Sequence, residues 1–321
     1  MKHKGLFFFV IFPLLVTSSC FGQKLYKNNF LIAGTYLEII SPDKEAAGIV
    51  YDEFRRLENI FNAYDDSSQL SGLNRSHGLG FKAAPELIEV LEIAQDVYRE
   101  SEGAFDASCG RLFDFWKDII NDNSKKSLPA SETIQGLKQF CSIKDISVNS
   151  ADSNVTINKE GMKIDLGGIA KGYMVDKAAK RLKEKGISSA VINAGGDLYC
   201  LGDNNHKKWR IGIRDPESAK NIIKEQDLFN QAIATSGDYE QFFELDSKRF
   251  SHIIDPRTGL PADKGIVSVS VIADKCAYAD AYATAFYVMG IAKVRDFFTR
   301  KKPPLKAFIV ETGRSDYQVF N

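Results

Sequence analysis

Asp280 and Thr284 stand four positions apart in Asp280-Ala281-Tyr282-Ala283-Thr284-Ala285-Phe286, so a helix would set a carboxylate and a hydroxyl on one face. Their neighbours are alanines and aromatics, and polar groups in such company cost kilocalories when left dry and unpartnered. An oxygen-only set suits Mg2+, which takes a carboxylate, a hydroxyl and a backbone carbonyl while phosphate oxygens and waters complete its octahedron. A plainer arrangement stays open: a threonine bonded back to the carbonyl four residues earlier, with the aspartate near a helix start.

Three other stretches share phosphate-handling chemistry. Asp165-Leu166-Gly167-Gly168-Ile169-Ala170-Lys171-Gly172-Tyr173-Met174-Val175-Asp176 reads as the end of an apolar strand, a glycine turn and an amphipathic helix. The glycine pair lets backbone groups approach a ligand, and the first helical amides point at an anion. In Ala234-Thr235-Ser236-Gly237-Asp238-Tyr239-Glu240 a strand ends in two hydroxyls and a glycine, which either donate to phosphate oxygens or make an ordinary turn. Ser251-His252-Ile253-Ile254-Asp255-Pro256-Arg257-Thr258-Gly259 reads as a β-hairpin closing on a proline-glycine loop. Alternation puts His252 and Ile254 on one face, where His252 either takes a proton from a nucleophile or is a satisfied polar group.

The elements that position these residues alternate between strands and helices. Phe30 to Ile40 reads as a strand, and Ser41-Pro42-Asp43 then offers an N-cap, a first-turn proline and an early acid. The predicted helix buries Ala46, Val50, Phe54, Leu57 and Phe61, which recur at helical spacing. Asp65 to Ser76 reads as a polar loop. Pro85 opens a second helix with Leu87, Val90, Leu91, Ala94, Val97 and Tyr98 inward, and Gly103 lies just past its end. Asn121 to Pro129 is polar and reads as a surface excursion. Ile146 to Leu166 turns β in pattern, with Lys159-Glu160-Gly161 as its hairpin turn. Further strands are predicted at Ser189 to Leu201, Trp209 to Ile213, Gln231 to Thr235, Gln241 to Leu245, Arg249 to Ile254 and Ile266 to Ile272, followed by a helix from Cys276 to Met289. Hairpins mixed with a few helices, with no repeat and no long linker, predict one compact α+β unit.

Composition bounds the function. The chain has 321 residues, and its Lys plus Arg count of 42 equals its Asp plus Glu count. That length allows a large core, and the balance excludes a basic nucleic-acid surface; Arg300-Lys301-Lys302 before Pro303 reads as a solvated helix end. At the N-terminus, Lys2 and Lys4 precede an apolar run from Leu6 to Val16, and Thr17, Ser18 and Ser19 lead to Cys20. This is the layout of an export signal, too short to span a bilayer. The expected division is a signal peptide over 1–19 and a single domain over 20–321. Cys20 reads as the lipidated cysteine of a bacterial lipoprotein, the alternative being ordinary cleavage after Gly22 and a soluble protein beginning at Gln23. The remaining cysteines, Cys109, Cys141, Cys200 and Cys276, are widely spaced and form no CxxC, so the sequence indicates neither a zinc site nor a disulfide scaffold.

Taken in order, these blocks resemble the ApbE family, the FAD:protein FMN transferases. Asp-Leu-Gly-Gly-Ile-Ala-Lys-Gly, Thr-Ser-Gly-Asp-Tyr, His-Ile-Ile-Asp-Pro-Arg-Thr-Gly and Asp-Ala-x-Ala-Thr-Ala all appear in the family's sequence. Upstream, Ala63-Tyr64 with Ser67 and Leu70 is similar to a family segment, and Gly103-Ala104-Phe105-Asp106 matches its Gly-Ala-Phe-Asp turn. The resemblance implies an ApbE-like unit of mixed, largely antiparallel sheet with packed helices. It also implies Mg2+ held by the Gly168 carbonyl with Asp280 and Thr284, and an FAD site lined by Tyr64, Ala104, Phe105, Asp106, Asp165, Lys171 and Ile254. Two positions depart from the pattern. Ala33-Gly34-Thr35 stands where many members have Met-Gly-Thr, and Thr284 stands where some members carry a second aspartate, which leaves this site less acidic.

The reaction so implied moves FMN from FAD to a threonine or serine hydroxyl of an exported acceptor, with AMP leaving. Ser236 and the Gly237 amide would hold the oxyanion, and His252 is the candidate for the acceptor's proton. Acceptors would be flavoproteins such as subunits of ion-pumping redox complexes, met in the bacterial cell envelope by a lipoprotein facing the periplasm. Two other readings remain: a Mg2+-dependent FAD pyrophosphatase that yields FMN and AMP, and a flavin-binding lipoprotein without catalysis.

Overall fold

In the computed structural model, described for residues 23–76, 78–121, 128–216, 218–237, 242–245, 248–314 and 316–321, eight strands form one antiparallel sheet. They are β1 (Tyr26–Ile32), β2 (Thr35–Ser41), β3 (Ala190–Ala194), β4 (Asp197–Leu201), β5 (Gln231–Gly237), β6 (Ile266–Ala273), β7 (Lys306–Glu311) and β8 (Tyr317–Phe320). Their order across the sheet is their order along the chain, and every neighbouring pair is antiparallel. The α+β expectation therefore holds. The proposed signal segment, Cys20, most of the 121–129 excursion and Asp238 to Gln241 lie outside the described residues.

Side-chain alternation gives this sheet a core on each face. In β3, Ala190, Ile192 and Ala194 join the larger core while Val191 joins the smaller; in β4, Tyr199 and Leu201 go one way and Leu198 and Cys200 the other. The smaller core is closed by a hairpin of Trp209–Asp215 with Ser218–Leu228, which lays Trp209, Ile211, Ile213 and Leu228 on the sheet. The larger core is closed by helices. They include α1 (Ala46–Phe61), α2 (Pro85–Glu100), α4 (Ala170–Glu184), α5 (Cys276–Met289) and α6 (Ile291–Lys301), with α3 (Gly110–Asn121) standing apart over a third cluster. That cluster gathers Leu112, Trp116 and Ile119 of α3 with Ile134, Phe243 and Ile254, and the Trp116 indole N–H donates to the Gly259 carbonyl at 2.9 Å.

Helix α5 is the centre of the helical layer. Twelve of its fourteen residues are buried, because it packs at once on β5, β6, α2, α4 and α6. A helix that is apolar all round can only be a core element, and a carboxylate within it must find partners.

Several local expectations are revised. Phe30 to Ile40 and Ser189 to Leu201 are each two strands, not one. Ala33-Gly34 and Gly195-Gly196 turn them, all four at positive φ, as two-residue hairpin loops require. β3 and β4 are buried on both faces and read as one apolar run, which hid the turn between them. The first helix begins at Ala46 rather than at Pro42. The Ser41 hydroxyl donates to the Ser189 carbonyl at 2.7 Å, and Asp43 Oδ1 accepts the Glu45 amide at 2.8 Å, so both residues serve the approach to the helix and neither caps it. The Ile146–Asn149 and Asn154–Ile157 hairpin turns at 150–153, with Ser153 at positive φ, and not at Lys159-Glu160-Gly161. Residues 162–166 are extended without forming a regular strand, and the loop expected over Asp65 to Ser76 contains the short helix Gln69–Asn74. Helix α6 shows in the sequence only by its end at Arg300-Lys301, and helix α3 and strands β7 and β8 have no counterpart in that reading.

Candidate active site

The glycine turn at Gly167-Gly168 is built by its own neighbours. Asp165 Oδ1 accepts the Gly167 amide at 2.7 Å, and the Asp165 amide donates to the Ala107 carbonyl at 2.8 Å, which ties the turn to the segment that carries Ala104, Phe105 and Asp106. The chain then enters α4. Its early amides have no intrahelical partner and can serve an acid. Asp280 of α5 supplies one, since its Oδ2 accepts the Gly172 amide at 3.2 Å. Gly172 is required here: a Cβ would overlap the Cys276 carbonyl and stand 2.9 Å from Asp280 Cβ, so only glycine lets the two helices come this close.

The service is returned. Asp176, one turn further along α4, accepts the Cys276 amide at 2.7 Å and the Ala277 amide at 2.9 Å, which caps the start of α5. The two helices therefore cap each other across one contact, and this fixes Asp280 against the glycine turn.

Two of the candidate ligands, Gly168 and Thr284, meet beside Ser236. A Cβ at Gly168 would lie 3.5 Å from Thr284 Oγ1, and Thr284 Oγ1 meets Ser236 Oγ at 3.1 Å. Behind them Thr235 and Ser270 share a 2.7 Å hydroxyl contact across β5 and β6. Lys171 pairs with Asp197 and reaches Asp280 Oδ2 at 3.9 Å, and both carboxylates are buried. Burial opposes charge on Lys171, but Asp197 and Asp280 outweigh it and raise its pKa, so the ammonium stays charged. Burial pushes the Asp280 carboxyl up, against the pull of Lys171 and the Gly172 amide. Among the described residues no group of three or more His, Cys, Asp or Glu side chains forms a metal cluster. The donors at this crossing are instead two carboxylates, two hydroxyls and glycine backbone, the hard oxygen set that Mg2+ accepts.

A second constellation stands beside the turn. The Lys117 ammonium donates to Asp165 Oδ2 at 2.8 Å and to the Tyr64 hydroxyl at 3.0 Å. Burial works against that charge, and Asp165 more than offsets it, raising the lysine pKa. Tyr64 is 78 % exposed, an aromatic face open to a ligand. The other expected residues fall into different roles. Ala104 and Phe105 are buried, with the Phe105 ring edge 3.2 Å from where a Gly168 Cβ would be. Asp106 is also buried and accepts both the amide and the hydroxyl of Ser108, at 2.8 and 2.6 Å, so it shapes its own turn. Ile254 points into the third cluster, which leaves its backbone as the part able to face a ligand. His252 is half-buried between the strands Lys248–Ser251 and Ile254–Asp255, where Ser251 Oγ accepts the Ile253 amide and breaks the strand, so the alternation argument does not apply to it.

Lys117 and Asp197 were missed in the sequence. Asp197 had a usable signal, since Asn193-Ala194-Gly195-Gly196-Asp197 repeats the pairing of two glycines with an acid. Lys117 had none: it sits on α3, whose neighbours in the sequence give no hint of Tyr64 or Asp165.

The model of the ApbE family matches residues 33–309. A protein named FAD:protein FMN transferase from Vibrio cholerae is 33% identical over 245 residues, covering 74% of this chain and 72% of that protein. One of the same name from Rhodobacter capsulatus is 33% identical over 272 residues, covering 81% of this chain but only 51% of that protein, so the chain spans about half its length. The crystal structure of an ApbE protein from Thermotoga maritima superposes with a TM-score of 0.81 at 29% identity, covering 92% of this chain and 96% of that one. A flavin transferase ApbE from Vibrio cholerae shares the fold with a TM-score of 0.80 at 24% identity, covering 92% and 96%. With a family match over most of its length, and the family's glycine turn and late alanine-rich helix meeting in space, the chain belongs to the ApbE family.

Proposed function

We propose that the chain is an FAD:protein FMN transferase that moves FMN from FAD to a threonine or serine hydroxyl of an exported acceptor and releases AMP. The observation that supports this most is the meeting of Gly168, Ser236 and Thr284 where α4, α5 and β5 cross, with Asp280 one turn earlier on α5 against the start of α4. Relatives that bear the transferase name carry the reading from geometry to reaction.

In this reading Asp280, Thr284 and the Gly168 carbonyl hold Mg2+. The fit rests on Gly168 lying bare against Thr284, and on Asp280 being a buried carboxylate beside the Gly172 amide, the Asp197 carboxyl and a lysine at 3.9 Å. Bound there, the ion neutralises charge on the diphosphate as a Lewis acid, worth several kcal/mol at the transition state. Lys171 keeps Asp197 paired and the acidic crossing near neutrality. Ser236 and the Gly237 amide face the phosphoryl oxygens, and Tyr64 offers its open ring to a flavin or adenine face while Lys117 aligns it with Asp165. The acceptor hydroxyl forms a bond to the phosphorus on the flavin side, the bond to AMP breaks, and His252 takes the hydroxyl proton. An export signal with a lipid anchor at Cys20 would hold the enzyme at the envelope membrane, in the compartment of acceptors such as subunits of ion-pumping redox complexes.

Incubation with FAD and Mg2+, with and without an acceptor protein, tests the proposal. AMP together with a fluorescent acceptor band on a denaturing gel is the expected result. AMP with free FMN and no labelled acceptor would replace transfer by hydrolysis, and bound FAD without AMP would leave a flavin carrier.

A further inference from the structure

Resting on the reading of Asp280 as a cation ligand, we propose that Asp197 is a positioning residue, which holds the Lys171 ammonium off Asp280 and so keeps that carboxylate open to the cation. Asp197 starts β4 directly after the Gly195-Gly196 turn, and strand alternation sets it with Tyr199 and Leu201 on the helical side of the sheet. Its backbone is fixed from both sides. Asp197 pairs with Ala194 across the hairpin, the Gly195 amide donates to the Tyr36 carbonyl at 2.9 Å, and Asn193 Oδ1 accepts the Gly196 amide at 3.0 Å. A Cβ at Gly195 would overlap Thr35 Oγ1, so only glycine lets the neighbouring hairpin pack against this turn.

Lys171 is the movable partner. It is the second residue of α4, and its ammonium ends a flexible four-carbon stem. That ammonium donates to Asp197 Oδ2 and stands 3.9 Å from Asp280 Oδ2, beyond hydrogen-bond reach. Both acids are buried, so whichever of them binds the lysine gains a partner that water does not replace. As folded, Asp197 has the lysine, and Asp280 has the Gly172 amide at 3.2 Å.

An ammonium closed onto Asp280 and a cation bound there exclude each other, because both are drawn to one carboxylate and repel at such range. With Asp197 in place the ammonium is held to the side, and Asp280 takes an ion without first breaking an ion pair. Without the Asp197 charge, the acid left within the lysine's reach is Asp280. A lysine that closes on it lowers the fraction of protein whose site is competent, and the apparent affinity for the cation falls by that fraction. Asp197 acts through the lysine and does not touch the ion, which separates this role from that of a further ligand.

The test titrates the full chain with Mn2+, a cation of the same preference for hard oxygen ligands, and reads free Mn2+ by electron paramagnetic resonance. The site's binding is the part that Asp280→Asn abolishes; equal binding by wild type and Asp280→Asn overturns the metal reading and this inference with it. Asp197→Asn should raise the Kd of that site by about tenfold or more, the shift produced when a tenth or less of the protein keeps Asp280 open. Asp197→Asn combined with Lys171→Met should return the Kd to near the wild-type value, because the competing ammonium is gone. An unchanged Kd in Asp197→Asn overturns the inference and leaves the metal reading standing. So does a double variant as weak as the single one, which would make Asp197 a ligand or a prop for the fold. Lys171→Met alone should bind Mn2+ at least as tightly as wild type, an arm that stands even where Asp197→Asn does not fold, and weaker binding overturns the inference.

Discussion

Asp176 and Asp280 sit at the two ends of one helix crossing, and each serves the start of the other's helix. Asp176 accepts two amides at 2.7 and 2.9 Å, the full complement of a helix cap. Asp280 accepts one amide at a longer 3.2 Å, lies against the Asp197 carboxyl, and stands 3.9 Å from the lysine that pairs with Asp197. Asp280 is buried and Asp176 half-buried, and burial pushes both carboxyls up. The same residue type in mirrored positions thus holds two helix amides in one place and one amide beside a second acid and a lysine in the other. A buried acid set beside a second buried acid and one lysine is what a cation site would use, and a fold that needed only a cap already had one.

The sharpest way to break this comparison is to remove each charge without removing its shape. Asp280→Asn should lower FMN transfer by about 10³-fold or more, the loss expected when several kcal/mol of charge neutralisation disappears. Asp176→Asn should leave turnover within about threefold, since it faces no ligand. Steady-state assays at saturating FAD and Mg2+ read both, and equal losses would dissolve the distinction.

The pH dependence of stability separates the pair a second way. The Asp176 carboxyl is pushed up to about 6 by burial, against the pull of the Ala277 and Cys276 amides, while an unfolded aspartate titrates near about 3.9. The folded state therefore holds this proton more tightly than the unfolded state. Its contribution to stability is full below about pH 4 and lost as pH rises through about 6, a change of about 3 kcal/mol. Asp176→Asn has no such proton, so urea unfolding at the two ends of that window should show wild type losing stability relative to the variant by about that amount. Parallel pH profiles would mean that the carboxyl is not buried as a cap.

Gly172→Ala attacks both caps together. The added methyl meets the Cys276 carbonyl and Asp280 Cβ, and helices forced apart in a packed core cost about 1–3 kcal/mol. Urea unfolding should register that loss, and transfer activity should fall with it because Asp280 and Gly168 move apart. A variant of unchanged stability would show that the crossing is looser than described.

Legibility followed the same division. Helix α5 was bounded correctly at Cys276 and Met289 and α2 at Pro85, because composition and a proline mark them locally. The Asp280 and Thr284 pair was legible as two polar residues with no business in an apolar helix. Its reciprocal partner Asp176 was only the end of a motif, because capping across two helices leaves no local trace. Lys117 and Asp197 stayed hidden for the same reason, and the hairpins at Ala33-Gly34 and Gly195-Gly196 were masked by apolar runs on both sides.

The smallest effect belongs to Tyr64, which extends the comparison from the crossing to its rim. Its ring is open to solvent and its hydroxyl is held by Lys117 at 3.0 Å, so the fold gains little from it. Tyr64→Ala should change stability by no more than about 0.5 kcal/mol, the usual range for an exposed substitution. An aromatic face that stacks on a ligand is worth about 0.5–1.5 kcal/mol, so the KM for FAD should rise by roughly three- to tenfold with kcat nearly unchanged. Tyr64→Phe keeps the ring and should recover most of that binding, because the Lys117 contact aligns the ring and the ring makes the contact with the ligand. If the phenylalanine variant binds as poorly as the alanine one, the hydroxyl and its lysine, not the ring, are the binding group.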